Sequence, residues 1–185
     1  MSSRILTLPN CVTLIRILLV PVFVAAVFAG QYAAALLLFA TAALSDGLDG
    51  WLARKRNERT ELGAFLDPLA DKALLITAVV VLSAFGWIPL WLAVALIGRD
   101  LVIVLGYVFL SRLSGMKQVR VTWAGKTAIA AEMVLFTYVL VWLASPGIPD
   151  PAFWMFLIVA ALSVGSGVHY IYRGFVQTND HTSPC

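Results

Sequence analysis

The chain has 185 residues, of which 61% are hydrophobic and 12% charged, with a formal net charge of +3 and a mean hydropathy of +0.92. That leaves too little polar surface to cover a globule in water and excludes an ordinary soluble domain. Alternating strand patterns are absent, so helices rather than a barrel satisfy the backbone in lipid.

The expected fold is an all-α integral membrane protein: about six transmembrane helices, ~20 residues each, in one bundle with a cytoplasm-facing polar cavity. One domain is expected over 1–176, followed by a disordered tail over 177–185. Cys11 and Cys185 suggest no disulfide framework, and Cys185 is not placed in a prenylation box. The N-terminal apolar run is long and lacks a convincing cleavage site, so it reads as a retained first helix.

Pro9 and Asn10 open the first span, with Asn10 able to cap it, and Asn10, Thr13 and Arg16 recur at three-residue steps as one polar stripe. Arg16 reads either as a cation snorkelling to headgroups or as a group that holds a phosphate. The span ends near Ala29, turns at Gly30 and Gln31, and a second runs from Tyr32 to Arg54. After a short charged loop, the third runs from Glu61 to Phe85 and contains Pro68, which frees a backbone carbonyl one turn back. Gly86 and Pro89 mark the next turn. The fourth span reaches about Leu110 with Arg99 and Asp100 inside it.

Ser111 to Trp123 is the longest polar connection, holding Arg112, Lys117 and Arg120, and the fifth span starts near Gly125 and Lys126 and ends at Ser145 to Gly147. Glu132 is the one acid in that span; it either completes a hydrogen-bond network or faces a cavity. The sixth covers about Pro151 to Tyr172, with Gly165 and Gly167 for close packing, and His169 reads as an interfacial histidine rather than a ligand. The turns near Gly30, Gly86 and Gly147 carry no Lys or Arg, so the positive-inside bias places both termini and the Asp46 to Asp71 segment at the cytoplasmic face of the inner membrane. The same bias, with anionic headgroups, accounts for the net charge better than nucleic acid does.

The segment Ser45 to Lys72 carries Asp46, Asp49, Asp67 and Asp71 in an otherwise apolar setting. The first pair is three residues apart and the second four, so on helices each pair shares a face, and two facing helices would converge four carboxylates. Each intramembrane carboxylate costs ~2.5–3.5 kcal/mol at a helix centre, which argues against four ornamental ones. Structural ion pairs with Arg54, Lys72 and Arg99 are the plainer alternative. Clustered carboxylates repel unless a cation neutralises them, and hard oxygen donors suit Mg²⁺ or Mn²⁺, two such ions being a common device for displacement at phosphorus. Gly50, Ala53 and Gly63 are small and allow close approach, with Arg54 beside them as a cation.

Read as D-x-x-D-G-x-x-A-R, eight residues, then G-x-x-x-D-x-x-x-D, this segment resembles the signature of the CDP-alcohol phosphatidyltransferase family without departure. The resemblance extends from about Pro9 to Lys126 and beyond that rests on hydropathy. It implies an enzyme that moves the phosphatidyl group of CDP-diacylglycerol to an alcohol acceptor and releases CMP. It further implies Asp46, Asp49 and Asp67 as ligands of two Mg²⁺ or Mn²⁺ ions, Asp71 as the catalytic base that also touches a metal, and Gly50, Ala53, Arg54 and Gly63 as the nucleotide site. A homodimer is also implied.

Arg99, Arg120 and Lys126, with Arg16, are the candidate acceptor-binding cations; pairing of Arg99 with Asp100 or the aspartates is the alternative. A phosphate site favours glycerol 3-phosphate and phosphatidylglycerophosphate as product. Many synthases of that type carry a second arginine one or two turns beyond the Arg-acid pair, where this chain has Leu105, Gly106, Tyr107 and Val108. The layout around Gly98, Arg99 and Asp100 also resembles the CMP-forming cardiolipin synthases, whose acceptor is phosphatidylglycerol. A cation transporter using the aspartates is a third, remote reading, disfavoured because the acids gather near one face and no repeat is visible.

Overall fold

The computed structural model describes residues 8–56, 61–114 and 123–180, with side chains described at Ile15 and over 17–45, 72–106 and 123–172. All six described elements are helices: α1 Leu8–Phe28, α2 Tyr32–Arg56, α3 Glu61–Ala84, α4 Leu90–Ser114, α5 Trp123–Ala144 and α6 Phe153–Asp180. These follow the expected spans closely. Helix α6 continues to Asp180, past Gln177 where the tail was expected to begin, because nothing in Gln177 to Asp180 breaks a helix; residues 181–185 lie outside the described ones.

The turns form where glycine permits them. Gly30, Gly86 and Gly147 have φ of 71°, 76° and 101°, a region that residues with a Cβ rarely adopt. At the end of α1, the Gly30 amide donates to Val27 O at 3.0 Å and the Gln31 amide to Ala26 O at 2.9 Å, so a left-handed glycine closes the helix and satisfies two orphan carbonyls. Pro21 and Pro68 are both accommodated inside helices, in α1 and α3.

The chain divides into two compact units, one of Met1–Phe85 with Phe136–Pro151 and the other of Gly86–Leu135 with Ala152–Cys185. The single domain expected over 1–176 therefore spans both. In the first unit α1 packs on α2 and α3, and α2 also packs on α3. Its core is apolar: Phe23 and Val27 of α1, Phe39 of α2 and Leu82 of α3 are all but fully buried. The Phe39 ring lies 6.1 Å from that of Phe23 and 6.4 Å, edge-on, from that of Phe136. Ala35, Ala42 and Ala78 are also buried, and small side chains there let the helices approach closely. The segment after α5 is held back onto it. Tyr138 Oη donates to Pro149 O at 3.1 Å and Trp142 Nε1 to Asp150 Oδ1 at 2.9 Å.

In the second unit α4 packs on α6. Leu92, Leu96 and Arg99 of α4, and Phe156, Val159, Ser163 and Ser166 of α6, are buried at spacings of three and four. This interface is apolar at one end and polar at the other.

Outside these cores, apolar side chains face outward: Leu18, Phe28, Leu37, Leu44, Val134 and Val168 are each more than 60% exposed. A water-soluble monomer does not present that much apolar surface, whereas lipid tails cover it at no cost. By length and composition, Trp123–Ala144 and Phe153–Tyr172 are each able to cross a membrane, and α1, α2 and α3 contribute shorter apolar stretches, Ile17–Phe28, Tyr32–Ser45 and Lys72–Ala84. The architecture is thus all-helical and suited to a membrane.

Candidate active site

The motif of the sequence falls on the two helices flanking one short link. Asp46, Asp49, Gly50, Ala53 and Arg54 lie in the C-terminal half of α2, and Gly63, Asp67 and Asp71 in the N-terminal half of α3. Only residues 57–60 separate the helices, so a chain that rises at most about 3.6 Å per residue keeps their ends near one another. Asp46 stands ten residues before the end of α2 and Asp71 ten residues after the start of α3; Asp49 and Asp67 stand seven and six residues from the same ends. Because α2 and α3 pack together, this register puts the two pairs at matching heights from the link.

The side chains of these eight residues, and that of Arg16 in α1, lie outside the described ones, as does the whole of Arg120. Among the described residues no group of three metal-binding side chains occurs. The donor set that the motif supplies is four carboxylates and no sulfur or imidazole, which fits a hard divalent cation such as Mg²⁺ or Mn²⁺ and does not fit a zinc or copper site.

The other candidate cations are described. Lys126, exposed in the first turn of α5, holds its ammonium 5.1 Å from the centroid of the Trp123 ring, itself 81% exposed. Arg99 is different. It is 7% exposed and sits in a polar cluster drawn from three helices of the second unit. Its Nε donates to Ser166 Oγ of α6 at 3.1 Å, and its Nη1 donates to Asp100 Oδ1 at 3.0 Å and to Glu132 Oε1 of α5 at 3.4 Å. Ser166 Oγ in turn donates to Ser163 O at 2.8 Å. On the stem side, a Cβ at Gly167 would lie 3.4 Å from Arg99 Cγ, an ordinary contact distance, so α6 runs close beside the arginine there.

Two of the open questions of the sequence are thereby answered. Arg99 does pair with Asp100, and Glu132 joins a hydrogen-bond network, one centred on that arginine. Ser166 was not singled out from the sequence. The available signal was Ser163, Ser166 and Gly167 on one face of an otherwise apolar helix, three and four residues apart.

Comparison with known proteins adds the decisive observation. The model of the CDP-alcohol phosphatidyltransferase family matches residues 6–165, which takes in the α2–α3 motif and Arg99, Asp100 and Glu132 but stops one residue short of Ser166. The chain belongs to the CDP-alcohol phosphatidyltransferase family. It is similar to the CDP-diacylglycerol--glycerol-3-phosphate 3-phosphatidyltransferase of Escherichia coli K12, with 33% identity over 174 residues, covering 89% of this chain and 92% of that protein. The proteins of the same name from Shigella sonnei and from Salmonella typhimurium match at the same identity and coverage. The likeness runs nearly end to end, so it embraces both compact units of this family member rather than the motif alone.

Proposed function

We propose that this phosphatidyltransferase moves the phosphatidyl group of CDP-diacylglycerol to glycerol 3-phosphate, giving phosphatidylglycerophosphate and CMP. The observation that carries the reading is the complete family motif on two packed helices with its aspartate pairs in register. The named acceptor of the relatives supports the choice of glycerol 3-phosphate.

In this reading Asp46, Asp49, Asp67 and Asp71 hold two Mg²⁺ or Mn²⁺ ions, which when bound supply positive charge to the pyrophosphate and to the departing CMP. Asp71 accepts the proton of the attacking hydroxyl, whose oxygen forms the new bond to the lipid-bearing phosphorus as the bond to the CMP oxygen breaks. Gly50, Ala53 and Gly63 leave room for the ribose and cytosine, and Arg54 pairs with a phosphate. Arg99, Lys126, Arg120 and Arg16 receive the acceptor's phosphate. Of these, Arg99 is the buried, tightly held one, and Lys126 the exposed one.

The same reading makes the protein a multi-pass enzyme of six spans in the inner membrane. Both termini and a polar cavity face the cytoplasm, where a soluble acceptor meets a lipid donor, and two copies associate. It rests on the apolar outward faces and the charge distribution between spans. A cation pathway finds no support in this arrangement, because Asp100 and Glu132 are gathered on one arginine rather than spread along a route.

The test is CMP release by purified protein with Mg²⁺ and CDP-diacylglycerol, offering glycerol 3-phosphate or phosphatidylglycerol. Release with glycerol 3-phosphate alone is expected. Release with phosphatidylglycerol alone would make the enzyme a CMP-forming cardiolipin synthase and overturn the acceptor assignment.

A further inference from the structure

The Arg99 guanidinium has five N–H groups. Its Nε–H is taken by Ser166, and Nη1 serves both Asp100 and Glu132, while Nη2 makes no hydrogen bond among the described residues. Three elements therefore hold both flanks of the plane: α6 through Ser166 at Nε, and α4 through Asp100 and α5 through Glu132 at Nη1, with Nη2 between them. The backbone at Gly167 passes close beside the stem. A long side chain with about 2 kcal/mol of rotamer entropy is held in one orientation, with the two N–H groups of Nη2 left over.

We propose that Glu132, assisted by Ser166, is a positioning residue for the acceptor: it holds Arg99 so that Nη2 meets the phosphate of glycerol 3-phosphate. This rests on the reading of Arg99 as an acceptor-binding cation. By charge alone, a carboxylate beside an anion site weakens anion binding. A buried acid placed 3.4 Å from that cation therefore opposes the ligand electrostatically and contributes through geometry. The two effects have opposite signs, and this makes the proposal testable.

Steady-state kinetics in detergent micelles, varying each substrate in turn, separates them. For Glu132→Ala the KM for glycerol 3-phosphate rises about tenfold, the loss expected when one hydrogen bond to a charged group no longer orients its partner, with kcat and the KM for CDP-diacylglycerol nearly unchanged. Glu132→Gln, which keeps an oxygen acceptor in the same place, restores most of the lost affinity. Ser166→Ala moves the same KM in the same direction by a smaller factor. It carries the test if Glu132→Ala is not recovered as folded protein.

A lower KM in Glu132→Ala would show that the acid acts by charge alone. Equal losses toward both substrates would show a merely structural role. Either result overturns the proposal. Arg99→Lys separates the two layers of argument. If it leaves the KM for glycerol 3-phosphate unchanged, the acceptor assignment of Arg99 fails and this inference with it. If it raises that KM while Glu132→Ala and Ser166→Ala do not, only the positioning role fails.

Discussion

Removing Arg99 should destabilise the protein more than removing any one of its partners. The Arg99 side chain is 4% exposed, that of Glu132 5% and that of Asp100 16%, so Arg99→Met takes the cation from two carboxylates that have little water to turn to. Breaking a buried ion pair from one side costs about 3–5 kcal/mol; Asp100 and Glu132 also interact elsewhere, which places the expected loss at the lower end, about 3 kcal/mol. Glu132→Leu leaves Arg99 still bonded to Asp100 and Ser166, and its cost falls to about 1.5–3 kcal/mol, that of a hydrogen bond to a charged group. Ser166→Ala loses one such bond to a neutral partner and costs the least, about 1.5 kcal/mol at the lower end of that range. Reversible unfolding in mixed micelles, followed by tryptophan fluorescence, measures all three. An order in which Ser166→Ala is the most damaging, or an Arg99→Met protein as stable as the parent, would refute the ion-pair account of this cluster.

Other expectations follow from the same structure. Asp71→Asn should leave CDP-diacylglycerol binding largely intact while lowering turnover by about 10²–10⁴, the usual contribution of a general base, whereas Asp46→Asn should shift the Mg²⁺ dependence of the rate itself; normal turnover in both would defeat the mechanism. Phe39→Ala empties the place of a fully buried ring and removes two ring contacts, and should destabilise the first unit by about 3–5 kcal/mol in the same unfolding assay. Gly167→Ala places a methyl in ordinary contact with Arg99 and should be nearly silent, while Gly167→Val, with branches beyond that Cβ, should raise the KM for glycerol 3-phosphate. In a Cys11→Ser background, a membrane-impermeant maleimide should label Cys185 in inverted inner-membrane vesicles and not in intact spheroplasts; the reverse pattern would invert the topology.

Much of the fold was legible because the signals were local. The three turn glycines stand between long apolar runs, and each takes the left-handed φ that ends a helix. The aspartate motif was legible for the same reason: its spacings of three and four are a helix period, and a four-residue link between two helices forces them to be neighbours. The Arg99 cluster was not legible in the same way. Arg99 and Asp100 are adjacent in the chain, but Glu132 lies 33 residues away and Ser166 lies 67, on other helices. Which of several polar groups on apolar helices meet is decided by helix rotation and crossing, and no periodicity in one helix specifies the rotation of another. Glu132 could therefore be noticed from the sequence but not assigned a partner. Ser166 offered only its spacing from Ser163 and Gly167, a faint signal because serine is at home in any membrane helix.

The two polar centres of this chain obey the same rule by different means. Charge is costly among apolar helices, so each carboxylate or guanidinium has to be balanced where it stands. In the second unit the protein supplies the opposite charges itself: a buried arginine meets two acids and a hydroxyl from three helices, so the cluster needs no metal ion to form. The motif on α2 and α3 supplies four acids and Arg54 as the one cation within its signature, an excess of negative charge. In the proposed function divalent ions would offset that excess, and the pyrophosphate of the donor would bring the compensating negative charge. The proposed function therefore makes the first centre dependent on metal and the second independent of it. Chelation should accordingly abolish CMP release without changing how tightly Arg99 is held.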